Sequence, residues 1–165
     1  MIDDYLKKWC CLIFFTLNTE IGDDPITFSK QISCAKRFYI HPNHSEKYKN
    51  IVTEIQQLSG EINLITQMSD AFQSAFDKGF RKVICIHSCF NEVMSMNLIE
   101  AFNSLKMIEF CIGPKSNGET YLLGMNYYEP TLFEISQNST LNYKSILKAI
   151  GNLKLATYKL KLLNG

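Results

Sequence analysis

The sequence predicts an α/β fold: three layers, α/β/α, around a mostly parallel sheet. Three observations carry that reading. Short runs such as Cys10–Thr16 and Lys82–His87 are largely apolar on both faces, as strands buried in a parallel sheet are. Other segments place apolar residues at i, i+3, i+4 and i+7, the spacing of a helix with one buried face. The two kinds of segment alternate along the chain, the order expected when helices cover both sides of a sheet.

The elements follow in order. Ile2–Lys8 is a short polar lead, and Cys10–Thr16 is the first strand. Leu17–Pro25, with Asn18, Gly22, Asp23 and Asp24, is a turn-rich loop. Ala35–His41 is the second strand. Ser45 is a candidate N-cap for a helix whose Tyr48, Ile51, Val52, Ile55 and Leu58 share a face and which Gly60 ends. Ile62–Thr66 reads as the third strand. Ser69 and Asp70 then cap a helix with Phe72, Ala75 and Phe76 on one face, stopped by Gly79. Lys82–His87 is the fourth strand. Asn91–Leu105 is a helix with Val93, Met96, Ile99, Phe102 and Leu105 inward; Met94 and Met96 sit at core-like spacing. Met107–Ile112 is a strand that Gly113-Pro114 breaks, and a polar loop, Lys115–Thr120, leads into a further strand, Tyr121–Met125. Pro130–Ile135 forms a helical turn, and Asn142–Gly151 a helix burying Tyr143, Ile146, Leu147 and Ile150. Leu155–Leu162 partly alternates apolar and polar residues and suits an edge strand, with Lys154, Lys159 and Lys161 discouraging pairing with another chain.

Composition bounds the function. The 165 residues are 46% hydrophobic and 20% charged, a globular balance that predicts a single domain over residues 1–165. A net charge of +1 gives no electrostatic case for nucleic acid or for an anionic membrane. The apolar run Trp9–Phe15 is far short of the roughly 20 residues of a membrane span and lacks a signal-peptide cleavage site, so a cytoplasmic protein is expected. Of the six cysteines, Cys10, Cys11, Cys85 and Cys111 lie in apolar runs and read as free, buried side chains. The glycosylation sequons at Asn43 and Asn138 are then idle.

The loop after the fifth strand is the most informative stretch. A buried strand delivering a polar, Gly-bearing loop to the sheet edge is where open α/β folds bind ligands. It reads Gly113-Pro114-Lys115-Ser116-Asn117-Gly118-Glu119-Thr120-Tyr121-Leu122-Leu123-Gly124. The fourth strand ends in His87-Ser88-Cys89-Phe90-Asn91, and Leu132-Phe133 precedes Asn138-Ser139-Thr140. These three segments, in this order, resemble the small bacterial glycosyltransferase-like proteins of the DUF2064 family, within the nucleotide-diphospho-sugar transferase (GT-A) superfamily. The family's corresponding patterns are Gly-Ser-Asp-Cys-Pro, Gly-Pro-x-x-Asp-Gly-Gly-Tyr-Tyr-Leu-x-Gly, and Leu-Phe followed by Trp-Ser-Thr. Gln67–Phe76 resembles a fourth pattern, a helix start that places Asp70 at an acidic position. The resemblance implies the GT-A fold, a nucleotide or nucleotide-sugar as ligand, and Ser88, Cys89, Asn117, Gly118, Glu119 and Asp70 as site residues.

The departures bear on the chemistry. A transferase of this kind neutralises a diphosphate, usually with a divalent metal on carboxylates, because hard cations take oxygen ligands. The family's two acids are here Cys89, a soft ligand, and Asn117, which carries no charge. The family's Lys-Thr-Arg-Leu cluster has no counterpart in residues 18–33. No catalytic residue and no metal ligand is therefore assigned, and Mg or Mn is expected only if Glu119 or Glu92 supplies the lost charge. The resulting expectation is a degenerate member with weak or no metal-dependent transfer. The rivals are a non-enzymatic module binding a ligand or protein, and an unrelated flavodoxin-like domain. His41, His44, His87 and Cys89 match no zinc spacing. Cys89 with His87 as base lacks an orienting third group, and a hydrogen-bonded His87 is the simpler reading. Tyr127-Tyr128 suits either a pocket wall or a partner patch. The oligomeric state stays open, a homodimer included.

Overall fold

The computed structural model describes residues 8–16, 30–40, 54–57, 63–87, 92–134 and 141–164. Among the described residues, seven strands form one sheet: β1 (Cys10–Thr16), β2 (Ala35–Ile40), β3 (Glu54–Gln57), β4 (Lys82–Ile86), β5 (Phe110–Pro114), β6 (Thr120–Met125) and β7 (Thr157–Lys159). Their order is β3-β2-β1-β4-β6-β5-β7. Only β6 runs against its neighbours, β4 and β5; the other pairings are parallel. This order rules out the flavodoxin-like alternative, whose strands run 2-1-3-4-5.

β1 shows why the sheet needs two covered faces. Cys10, Leu12 and Phe14 enter one core while Cys11, Ile13 and Phe15 enter the other, and all six are buried. Phe14 stacks on Phe38 at 4.6 Å between ring centroids, and Phe15 on Tyr39 at 5.5 Å, each pair facing across the β1–β2 register. The first core is roofed by α2 (Ser95–Ser104) through Leu98, Ala101 and Phe102, and by Leu105 just beyond it. The second is roofed by α1 (Leu64–Asp77), α3 (Thr131–Glu134) and α4 (Tyr143–Asn152). The architecture is therefore three-layer α/β/α. No helix among the described residues is long and apolar enough to cross a membrane.

Several expectations need correction. Of the expected strand Ile62–Thr66, the described residues 63–66 are not a strand. Asn63 caps α1, its Oδ1 accepting from the Ile65 amide at 2.9 Å, and Ile65, Met68, Phe72 and Ala75 continue one helical face into the second core. A short apolar run fits either period, and here the run joins the helix behind it. Ser69 and Asp70 accordingly lie inside α1 rather than at its cap. The third strand is instead Glu54–Gln57, inside the segment expected to be helical. On α2 the buried stripe is Leu98, Ala101, Phe102 and Leu105, so Met96 and Ile99 face outward, 75% and 46% exposed, and Met94 is exposed as well. Val93, Phe102 and Leu105 are buried as expected, and the two stripes share Phe102 and Leu105; packing on β4 and β5 selects the one carrying the small Ala101. β5 does not break at Gly113-Pro114 but runs through both, with a register shift between them. The lead and loop residues 2–7 and 17–25, and His41, Ser45, Tyr48, Ile51, Val52, Leu58 and Gly60, lie outside the described residues.

Other expectations agree with the structure. Thr131–Glu134 is the expected helical turn, and β7 is an edge strand. Cys10, Cys11, Cys34, Cys85 and Cys111 are free and buried.

Candidate functional site

The parallel strands β4 and β5 end side by side across β6, and their C-terminal ends carry His87 and the Lys115–Glu119 loop. In chain order β2 and β3 lie on one side of β1, whereas β4, β6, β5 and β7 lie on the other. Ligands of open α/β sheets bind near such a reversal, outside the carboxyl ends of the strands.

The loop is closed by its own hydrogen bonds. The Lys115 amide donates to the Glu119 carbonyl at 2.7 Å, and the Gly118 amide to the Lys115 carbonyl at 3.1 Å. Gly118 has φ +87°, a conformation glycine adopts at little cost. From behind, the Ser116 amide donates to the Leu163 carbonyl at 2.9 Å and the Tyr143 amide to the Gly118 carbonyl at 2.9 Å. The loop is thus fixed on both flanks.

Its side chains converge on one carboxylate oxygen. Lys115 Nζ lies 2.7 Å from Glu119 Oε2, and Asn117 Nδ2 donates to the same oxygen at 3.0 Å. Asn117 Oδ1 accepts from the Glu119 amide at 3.1 Å, so both ends of the amide are used. These two donors, Lys115 first, hold the Glu119 carboxyl below its usual range. Next to the loop, His87 Nε2 lies 3.1 Å from Thr120 Oγ1, and the buried Thr120 hydroxyl donates to the Leu141 carbonyl at 3.2 Å. With the Thr120 hydroxyl donating to that carbonyl, its oxygen is left to accept from His87, and this hydrogen-bond network places the imidazole proton on Nε2. Burial, seconded by the nearby Lys115 charge, pushes the imidazole down to about 4 and leaves it neutral at pH 7. His87 is the hydrogen-bonded histidine expected from the sequence. Thr120→Val is expected to cost about 1–2 kcal/mol in urea unfolding, because it strips His87 Nε2 of its acceptor while preserving shape.

Of the residues expected at the site, Asn117, Gly118 and Glu119 are brought together. Asp70 is exposed in the middle of α1 and shares no hydrogen bond or ion pair with the loop among the described residues. Ser88 and Cys89, with His44 and Asn138, lie outside the described residues. Glu92 is exposed in the turn before α2. Tyr128 bonds Ser69 through its hydroxyl at 2.7 Å and stacks on Phe133, so it ties α1 to the region after β6. Sequence reasoning missed Lys115 and Thr120. The signal for Lys115 was its opposite charge four residues before Glu119, across a turn containing Asn117-Gly118.

The donor set does not fit a hard divalent cation. Such an ion takes six or more oxygen ligands. Here the loop's single carboxylate already faces an ammonium, and Asn117 turns its Nδ2, not its oxygen, toward it. Among the described residues no three His, Cys, Asp or Glu side chains gather.

The sequence from residue 30 to 140, more than half of the chain, matches the family model described as an uncharacterized protein conserved in bacteria (DUF2064). The chain belongs to the DUF2064 family. No curated protein matches it. Solved structures similar to this DUF2064 chain include a Desulfovibrio desulfuricans G20 protein assigned by inference as a nucleotide-diphospho-sugar transferase. That protein is 19% identical with a TM-score of 0.77, over 96% of this chain and 81% of the other. A Mycobacterium tuberculosis H37Rv protein in complex with manganese matches at 9% identity and TM-score 0.56, over 96% and 90%. A CMP:2-keto-3-deoxy-manno-octonic acid synthetase complexed with CTP matches at 3% and 0.53, over 95% and 90%. At these identities the likeness establishes a shared nucleotide-diphospho-sugar transferase fold and no shared chemistry.

Proposed function

We propose that this DUF2064 member binds a nucleotide or nucleotide-sugar at the Lys115–Thr120 loop and has weak or no metal-dependent transferase activity. The fold supports the ligand class, since a relative on the same scaffold is complexed with CTP. One observation carries the rest: the loop carboxylate that a metal would need is paired with Lys115 at 2.7 Å, and the neighbouring acidic position is Asn117. Without a metal, a diphosphate leaving group lacks the divalent charge that usually compensates it, and transfer is slow.

Calorimetry tests this reading. Titration with Mn alone is expected to give no heat of binding, and a UDP-sugar incubated with Mn to stay intact. A saturable Mn isotherm together with nucleotide-sugar turnover overturns the claim of impaired transfer.

A second reading, a non-enzymatic binding module, is favoured by a separate groove of about 480 Å³ between α2 and β7, lined by Met96, Ile99, Glu100, Asn103, Ser104 and Tyr158. Its apolar lip and edge strand suit a protein partner. Under that reading no nucleotide raises the melting temperature, because only ligands of the folded state do so.

A further inference from the structure

Lys115 is more than a loop charge. Its side chain is only 10% exposed, and the backbone bonds that close the loop hold it at the end of β5. An ammonium has three N–H donors, and Glu119 Oε2 takes one. The Lys115 charge also reaches His87 at the end of β4, where it disfavours the imidazolium. The ammonium therefore stands near the ends of two parallel strands, where a ligand's phosphates meet a sheet of this kind. Glu119, about a third exposed, is its counter-ion. A divalent metal at this carboxylate has to displace an ammonium already at hydrogen-bond distance.

Resting on the nucleotide-binding reading above, we propose that Lys115 is the resident cation of this site. Its ammonium neutralises the phosphate oxygens of a nucleotide in place of a divalent metal, and Glu119 is the internal anion those oxygens displace. Because Glu119 competes with the ligand, removing its charge strengthens binding.

The test is CTP titrated into the full chain by calorimetry, in EDTA and in Mn, with inorganic pyrophosphate as a second probe. Equal affinity in EDTA and Mn is expected, with pyrophosphate binding too, since the phosphates carry the contact. Lys115→Met is expected to weaken CTP about tenfold or more, as loss of a charge-assisted hydrogen bond does, while Lys115→Arg keeps binding within about threefold. Glu119→Gln is expected to tighten CTP by about threefold or more, a gain that misfolding cannot produce. CTP binding that needs Mn overturns the resident-cation proposal and leaves the nucleotide reading standing. Metal-independent binding indifferent to both the Lys115 and Glu119 variants does the same. Silence of CTP and pyrophosphate under both conditions overturns both.

Discussion

Replacing Gly113 by alanine is expected to destabilise the protein by about 3 kcal/mol, although alanine normally stabilises a strand position relative to glycine. The backbone at Gly113 does not have positive φ, so alanine meets no conformational penalty there. The cost is steric. A Cβ at Gly113 would lie 2.6 Å from Tyr121 Cε1 and 2.7 Å from Cε2, well inside van der Waals contact. The ring has nowhere to go: Tyr121 is fully buried, and its hydroxyl donates to the Lys161 carbonyl at 3.1 Å. Making room means breaking that bond or spreading β5 from β6, and overpacking of this kind costs about 1–3 kcal/mol before the bond is counted. The measurement is a urea-unfolding double-mutant cycle with Tyr121→Ala. If the ring is the cause, Gly113→Ala costs little in the Tyr121→Ala background. An undiminished cost there excludes the clash. The position also bears on the site, because Gly113 and Pro114 lead directly into Lys115.

The same pair shows what a sequence can reveal. Gly113 and Tyr121 belong to a spaced motif, and the motif put Asn117, Gly118 and Glu119 in one loop, because a hairpin loop keeps close sequence neighbours close in space. β1 and β4 were legible because a strand covered on both faces must be apolar at successive positions. β3 was not, because its residues Glu54, Ile55, Gln56 and Gln57 lack that pattern at the sheet's edge, while the apolar Ile62–Thr66 imitates it. The face of α2 was misread at Met96 and Ile99 for a related reason: two stripes share Phe102 and Leu105, and only packing on the sheet chooses between them. Lys115 was overlooked because an opposite-charge pair four residues apart is usually solvated surface. Only the turn that brings its ends within 2.7 Å makes it a part-buried contact. Thr120 carries no signal at all until Leu141 and His87 arrive from distant segments.

Acid is expected to weaken this fold through His87 before the carboxylates titrate. The ordinary imidazole value is 6.5, and in the folded protein it is pushed down to about 4. Between those values the unfolded chain holds a proton at this residue that the native state does not. Stability therefore rises with pH: the His87 contribution is fully present above about pH 6.5 and is lost as pH falls toward 4. The whole shift corresponds to about 3 kcal/mol, and about 2 kcal/mol of it is gone by pH 5. Glu119 acts in the same direction but lower, since a carboxyl held below its usual value loses its contribution as pH falls through that lowered value. The cause can be separated from a lost hydrogen bond. With His87 donating from Nε2 to Thr120, the added proton goes to Nδ1 and leaves that bond intact; what it introduces is a half-buried charge near Lys115. Urea unfolding at pH 7.5 and pH 5.0 measures the effect, with His87→Gln as reference because glutamine keeps a donor and cannot titrate. The wild type is expected to lose about 2 kcal/mol more than the variant between the two pH values. Parallel losses would mean that the folded imidazole titrates normally, and with that the neutral, Nε2-protonated His87 beside the loop would be wrong.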